Sequence, residues 1–383
     1  MVIRDRKQRL EFLDALRGLA AAYVVIYHMI LIPHPSLTLP RWARTLASGG
    51  YTGVTLFFMV SAFSLYFTMP LRLRESHPTR AFYLHRFFRI APLFYVLLIA
   101  TLIRDIALFD VTHSKFDIAS SLLFLFNLVP GREQGIVWAG WTVGVEVLFY
   151  AVFPLIYRHV RSAADAITFG VVAVLAWNLI QSTLTYLAVP ETVTASIGQW
   201  SVFRHLPIFA AGILTYRIYT SMDSAKIDRG QYVDTGNALL ASGILCYFAL
   251  LEGWLPNVFG DLYYWQGIAY GAMFLGLGLS PWKLVVNRAT RYLGKISYSL
   301  YLNHPTVVLL LTPAYRWLYG HTPYATVSLL ASVVLTFAVT VPLSILTYRL
   351  IEAPGIALGK SLGARWQAKS GGYGLGSRPE LPS

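Results

Sequence analysis

The chain has 383 residues, of which 56% are hydrophobic and only 13% charged, with a formal net charge of +13. Its mean hydropathy is +0.55. A soluble chain of this size carries about 25% charged residues, so composition excludes an ordinary soluble globular protein and points to the membrane.

Repeated apolar runs near the length of a bilayer crossing make this an all-α, polytopic transmembrane bundle. No period-2 alternation supports a β-barrel. The basic balance is not a nucleic-acid footprint, because the basic residues sort by membrane side. The single cysteine, Cys246, excludes an intramolecular disulfide and any cysteine-based metal cluster, and no metal is expected.

Ten spans are expected: 12–32, 51–69, 87–104, 141–157, 164–187, 202–219, 235–252, 262–280, 292–312 and 325–348. The first follows a basic stretch but is too long for a signal peptide and carries Arg17, so it reads as an uncleaved span. With both termini cytoplasmic, 23 of the 30 Lys and Arg other than Arg17 fall on the cytoplasmic side. Arg41, Arg44, Arg104, Lys115, Arg132, Arg204 and Arg316 fall outside. The short stretch 118–130 is expected to be interfacial or re-entrant; counting it as an eleventh span breaks the charge pattern. Residues 1–358 form the transmembrane domain, and 359–383, rich in Gly and Ser, read as a disordered cytoplasmic tail. There is no internal repeat.

Ionisable residues inside a membrane cost about 2.5–3.5 kcal/mol each on insertion, so they are the functional candidates. Arg17 and His28 in the first span are eleven positions apart, three helical turns plus about 20°. They share one face, about 16 Å apart along the axis. Asp14, three residues before Arg17, is a local partner for it. Buried and neutral, His28 suits a general base; the competing reading is a structural, hydrogen-bonded histidine. Arg86 and Arg89 point the same way at the cytoplasmic start of the third span. They fit either lipid headgroups or a phosphorylated cytosolic ligand. Trp141 opens the fourth span from outside, with Glu146 in the outer half at a depth similar to His28. In the ninth span, beside Tyr298, the residues Ser297, Tyr301 and His304 form a polar stripe on one face, and Pro305 loosens the helix beyond it. Glu352-Ala353-Pro354 closes the last span.

Taken together these clusters resemble the integral-membrane acyltransferase family 3, the O-acyltransferases of surface sugars and small molecules. The matching motifs are Leu13 to Gly18 followed by His28, Phe57 to Phe63, Arg86 to Pro92, Trp141 to Pro154, Ile296 to His304, and Glu352 to Pro354. They occur in the family's order over nearly the whole chain. Ala62, Val147 and Asn303 depart from the usual pattern, where a Gly, a second acid and an aromatic are common. Many relatives carry an appended extracytoplasmic esterase-like domain, which this chain is expected to lack.

The resemblance implies transfer of an acyl group, most often acetyl, from cytosolic acyl-CoA to a hydroxyl. The donor is a substrate; no permanently bound cofactor is expected. The expected partners are membrane lipids, acyl-CoA and a surface glycan or its lipid-linked precursor, met at the inner (plasma) membrane; a small-molecule hydroxyl is the alternative acceptor. In that scheme His28 is general base or acyl carrier, Glu146 or Asp14 orients its imidazole, and Arg17 neutralises negative charge near the donor or oxyanion. Arg86 and Arg89 bind the donor phosphates. Trp141, Ser297, Tyr298, Tyr301 and His304 bind substrate or support the site. A proton-coupled transporter is the rival from another class, since it too buries His, Glu and Arg, but it predicts repeats between the two halves.

Overall fold

A computed structural model describes residues 10–224, 229–257 and 261–371. Arg4, Arg6, Lys7, Arg9, Lys226 and Arg378, counted above as cytoplasmic charges, lie outside the described residues. Within them the fold is helical with no strand. The helices are α1 (Glu11–Leu31), α2 (Arg41–Ser48), α3 (Gly53–Arg72), α4 (Pro78–Phe109), α5 (Lys115–Leu122), α6 (Trp141–His159), α7 (Ala163–Tyr186) and α8 (Glu191–Trp200). They continue as α9 (Val202–Ser224), α10 (Arg229–Leu251), α11 (Tyr263–Leu279), α12 (Arg288–Lys295), α13 (Ser297–His321), α14 (Ala325–Thr347) and α15 (Ala353–Gly371).

Nine of the ten expected segments each correspond to one helix; the ninth, 292–312, joins the end of α12 to α13 across a turn at Ile296. Seven are long and apolar enough to cross a membrane: α1, the α2–α3 stretch, α4, α6, α7, α10 and α14 with its continuation. The other three, α9, α11 and α13, are shorter or more polar. The stretch 118–130 is the end of α5 and a single tight turn at Phe126–Leu128, too short to cross. Two boundaries differ from expectation. The third span begins at Pro78 rather than 87, so Arg86 and Arg89 lie two turns inside α4. The expected tail is helical through Gly371 as part of α15.

The physical origin of the bundle is visible in α14. Ser328, Ser332, Thr336, Thr340 and Ser344 repeat every four residues on its buried face. Each hydroxyl is satisfied by the carbonyl four residues back or a close neighbour, for example Thr340 Oγ1 to Thr336 O at 2.7 Å. Small, internally bonded side chains let helices approach closely where lipid supplies no hydrophobic drive. The opposite face carries exposed Leu330, Val334 and Leu346. In α7, Val171, Leu175 and Leu179 are likewise exposed. Apolar belts of this extent need a bilayer to cover them.

The interior is aromatic. Phe149 stacks on Phe209 with ring centres 3.9 Å apart, and Phe82 on Phe153 at 5.2 Å. At the centre, α1 packs against α3, α12, α13 and α14. Its approach to α12 depends on glycine: a Cβ on Gly18 would come within 2.3 Å of the Thr290 carbonyl oxygen, and one on Gly294 within 1.8 Å of that of Asp14. Several of the basic residues that the expected topology leaves outside the cytoplasmic side have acidic partners: Arg104 pairs with Asp105, Arg132 with Asp117 and Arg204 with Asp261.

Candidate active site

Because α1 is unbroken from Glu11 to Leu31, Arg17 and His28 do share one face. Their neighbours differ. Arg17 donates to Ser64 Oγ at 2.7 Å and pairs with Asp14 at 3.3 Å. The imidazole of His28 meets His304 of α13, with Nδ1 2.9 Å from His304 Nε2 and 3.1 Å from the Val24 carbonyl.

The proton positions follow from which atoms can only accept. His304 Nδ1 lies 2.5 Å from the Tyr301 carbonyl oxygen, so Nδ1 carries the hydrogen. In the neutral ring Nε2 is then an acceptor. His28 Nδ1 faces that acceptor and a second one, the Val24 carbonyl, so it too carries its hydrogen. The Nε2 lone pair of His28 is left for chemistry. The Tyr301 carbonyl is available for a reason written in the sequence: in a helix it would bond the N–H of residue 305, but Pro305 has none. His304 fills the vacancy. The proline leaves α13 continuous from Ser297 to His321, so its consequence is a freed carbonyl rather than a broken helix.

Three cavities run along this axis. Beside the C-terminal end of α1 is a vestibule of about 1300 Å³, lined by His28, Tyr301, Pro305, Trp138, Trp141, His205 and Tyr263 among others. Below it is a narrow neck of about 80 Å³, lined by Arg17, Ser61, Arg86, Arg89, Glu146, Ser297, Tyr298 and Tyr301. Beyond the neck, towards the N-terminal end of α1, is a basic cavity of about 650 Å³ containing Asp14, Arg17, Arg72, Arg86, Arg89, Lys295, Glu352 and Lys360. Val54 and Tyr301 line both vestibule and neck; Arg17, Ser64, Arg86 and Arg89 line both neck and basic cavity.

Glu146 belongs to the neck. Its carboxylate accepts the Tyr150 hydroxyl at 2.7 Å, and that hydroxyl lies 3.0 Å from Ser61 Oγ. The structure therefore puts His304, not Glu146 or Asp14, against the His28 imidazole; Asp14 is fourteen residues away on the same helix, about 21 Å along the axis. The Arg86 guanidinium lies over the Tyr150 ring at 5.1 Å and the Phe82 ring at 5.8 Å. Arg89 shares a local field with Glu352, Glu146, Tyr150 and Tyr298. Tyr298 ties α13 to α4 by donating to the Ile90 carbonyl at 2.8 Å, and Ser299 donates to Glu352 at 2.8 Å. Of the ninth-span stripe, Ser297 and Tyr301 line the neck, while His304 completes the imidazole pair.

His205 escaped the sequence reading. It is 3% exposed, sits 2.6 Å from the Tyr263 hydroxyl through Nδ1, and lies against Trp141 with ring centres 5.2 Å apart. Its only sequence signal was a lone histidine in an apolar run. Arg72 also escaped, although its Nη1 is 2.5 Å from His85 Nδ1.

A helical bundle with lipid-facing apolar belts, crossed by a series of cavities with a histidine pair beside the shared lining residue Tyr301, is a multi-pass membrane protein with an internal polar site. The sequence model of acyltransferase family 3, described as an acyltransferase domain, matches residues 10–349. The chain belongs to this family and is a membrane acyltransferase. No curated protein and no solved structure matched the chain in the corresponding comparisons.

Proposed function

We propose that the protein moves an acetyl group from cytosolic acetyl-CoA to a hydroxyl of a surface-glycan sugar or its lipid-linked precursor, in the inner (plasma) membrane. In this reading the bundle has ten spans and cytoplasmic termini, the basic cavity opens to the cytoplasm and the vestibule to the outside. The observation that carries it is the series of cavities, basic at one end and aromatic at the other, with His28 in the vestibule wall and linked through His304 to Tyr301, which lines the neck as well.

The donor enters the basic cavity with its phosphates near arginines, whose planar donors suit phosphate oxygens. Its thioester reaches the junction at Tyr301. His28 Nε2 takes the proton from the acceptor hydroxyl as that oxygen attacks the thioester carbonyl. The C–S bond then breaks, and the departing thiolate receives the proton back from the imidazolium. His304 holds the ring in the required tautomer through Nδ1, as the third member of a catalytic triad does. Tyr301, which lines both neck and vestibule and whose buried hydroxyl has no hydrogen-bond partner among the described residues, supplies the hydroxyl donor for the developing oxyanion; Arg17, committed to Ser64 and Asp14, serves the donor end instead. The neck is much smaller than either chamber it joins, which favours acetyl over a long acyl chain.

For the acceptor, the vestibule carries Trp138, Trp141, Trp200, Gln134, Gln181 and Gln199. Flat aromatic faces and amide groups suit a polyhydroxylated ring, and the volume exceeds what a single small hydroxyl compound needs. The test is the mass of surface glycans from a deletion strain. The proposal expects a loss equal to one acetyl per modified repeat, restored by the gene; unchanged glycans with an acetylated small molecule lost instead would move the acceptor to the alternative class.

A further inference from the structure

Helix α15 lies wholly beyond the family-matched residues 10–349, yet it is packed into the molecule rather than appended to it. It runs along α4. A Cβ on Gly355 would come within 2.8 Å of the Phe88 carbonyl oxygen, and one on Gly359 within 2.7 Å of Phe88 Cβ. Two glycines four residues apart thus seat one face of α15 against α4. The adjacent face brings Ile356 and Lys360, also four apart, to the wall of the basic cavity.

The residues of that cavity fall into two depths. Arg86 and Arg89 line the neck as well, so they stand at its deep end. Arg72, Lys295 and Lys360 line the cavity alone and stand towards its mouth, where Lys295 and Lys360 are exposed. Three helices, α3, α12 and α15, each contribute one cation there. Arg72 is held by its contact with His85, and its buried Nε has no hydrogen-bond partner. The carboxylates of the cavity are buried and already engaged, Asp14 with Arg17 and Glu352 with Ser299.

We infer that α15 closes the donor site and that Lys360, with Arg72 and Lys295, binds the polyphosphate end of a nucleotide-bearing donor. Arg86 and Arg89 then meet the inner phosphates and the arm entering the neck. The inference rests on the acyl-CoA reading above. It assigns to α15 a role in recognising the nucleotide, not in the chemistry.

The test uses the full-length protein in phosphatidylcholine nanodiscs, with coenzyme A and adenosine 3′,5′-bisphosphate as probes and S-acetylpantetheine as a phosphate-free donor. Lys360→Gln is expected to weaken both phosphate-bearing probes by about tenfold and raise KM for acetyl-CoA. It should leave turnover with S-acetylpantetheine unchanged. Lys360→Arg should restore binding. Lys283→Gln, on the same side but off the cavity, should change neither probe. Wild-type affinity for both probes in Lys360→Gln would overturn the clamp while leaving the donor reading intact. Absence of coenzyme A binding by the wild type would overturn both. Loss of co-purified phosphatidylglycerol from Lys360→Gln, with coenzyme A affinity unchanged, would assign the lysine to a lipid headgroup and also overturn the clamp.

Discussion

The two large cavities share a conduit but not a chemistry. The basic one is lined by six Lys or Arg side chains against two carboxylates. The vestibule is lined by seven Tyr or Trp residues and one arginine, Arg204, which is already paired with Asp261. A site for a single ligand would not need opposite ends. Strong positive potential in one chamber attracts a polyanion, while near-neutral aromatic walls in the other suit a ligand without charge. The neck is much the smallest of the three spaces; in the proposed reading it takes the slender arm of the donor and keeps the bulk of the two ligands apart. In the proposed reading, catalysis is a matter of bringing two molecules to one histidine from opposite sides, which is where orientation contributes most.

That contrast is open to separate attack at each end. The largest effect at the basic end is expected from the Arg86→Ala, Arg89→Ala double substitution. Coenzyme A affinity should fall by roughly 100-fold or more, given about 1.5–3 kcal/mol for each charge-assisted hydrogen bond. Acceptor binding should hold, and equal weakening of both ligands in paired titrations would break the division of labour. At the histidine pair, His304→Ala should slow turnover by roughly 10- to 100-fold, less than the roughly 10²- to 10⁴-fold expected for the base itself, with both KM values little changed. His304→Gln, which keeps an acceptor near His28 Nδ1, should recover part of the rate; a Gln variant no better than Ala would show that the pair does not set the tautomer. At the vestibule, Trp141→Ala should raise the acceptor KM by about three- to tenfold, the scale of one lost aromatic contact, and leave acetyl-CoA binding alone. The smallest effect concerns the outer rim. The Arg132 hydrogen bond, then that of Ser114, holds the Asp117 carboxyl below its ordinary value of 3.8. The stability this pair contributes is present above that value and is lost as pH falls through the lowered one. Thermal unfolding of Asp117→Asn should accordingly show a shallower loss on acidification than the wild type.

Much of this arrangement was legible in the sequence because it depends on helical period and on the cost of burying charge. Arg17 and His28 share a face by arithmetic alone, and nine of the ten apolar segments each correspond to one helix, the ninth being split at Ile296. What periodicity cannot supply is the partner across a helix interface. Glu146 sits at the right depth for His28 by residue counting, yet its carboxylate turns to Tyr150 and the neck. His304 was visible as one of a stripe, but its specific use follows from Pro305 freeing the Tyr301 carbonyl, a rule of backbone bonding rather than of pattern. The Arg86–Arg89 pair was recognised, while its depth was not, because α4 extends two turns further than its apolar core. Composition misjudged α15 in the other direction. The stretch from Gly359 onward read as a disordered tail, although the spacing of Gly359 from Gly355 is the spacing of a close helix contact. His205 had no pattern around it and emerged only once Tyr263 and Trp141 were brought beside it.

The central claim is that His28 is the base at which the two chambers meet. The direct measurement is acetyl transfer from radiolabelled acetyl-CoA by membranes carrying His28→Ala, with coenzyme A binding determined on the same preparation. The account predicts a fall in transfer of about 10²- to 10⁴-fold with coenzyme A affinity retained. Transfer at the wild-type rate by His28→Ala would contradict it.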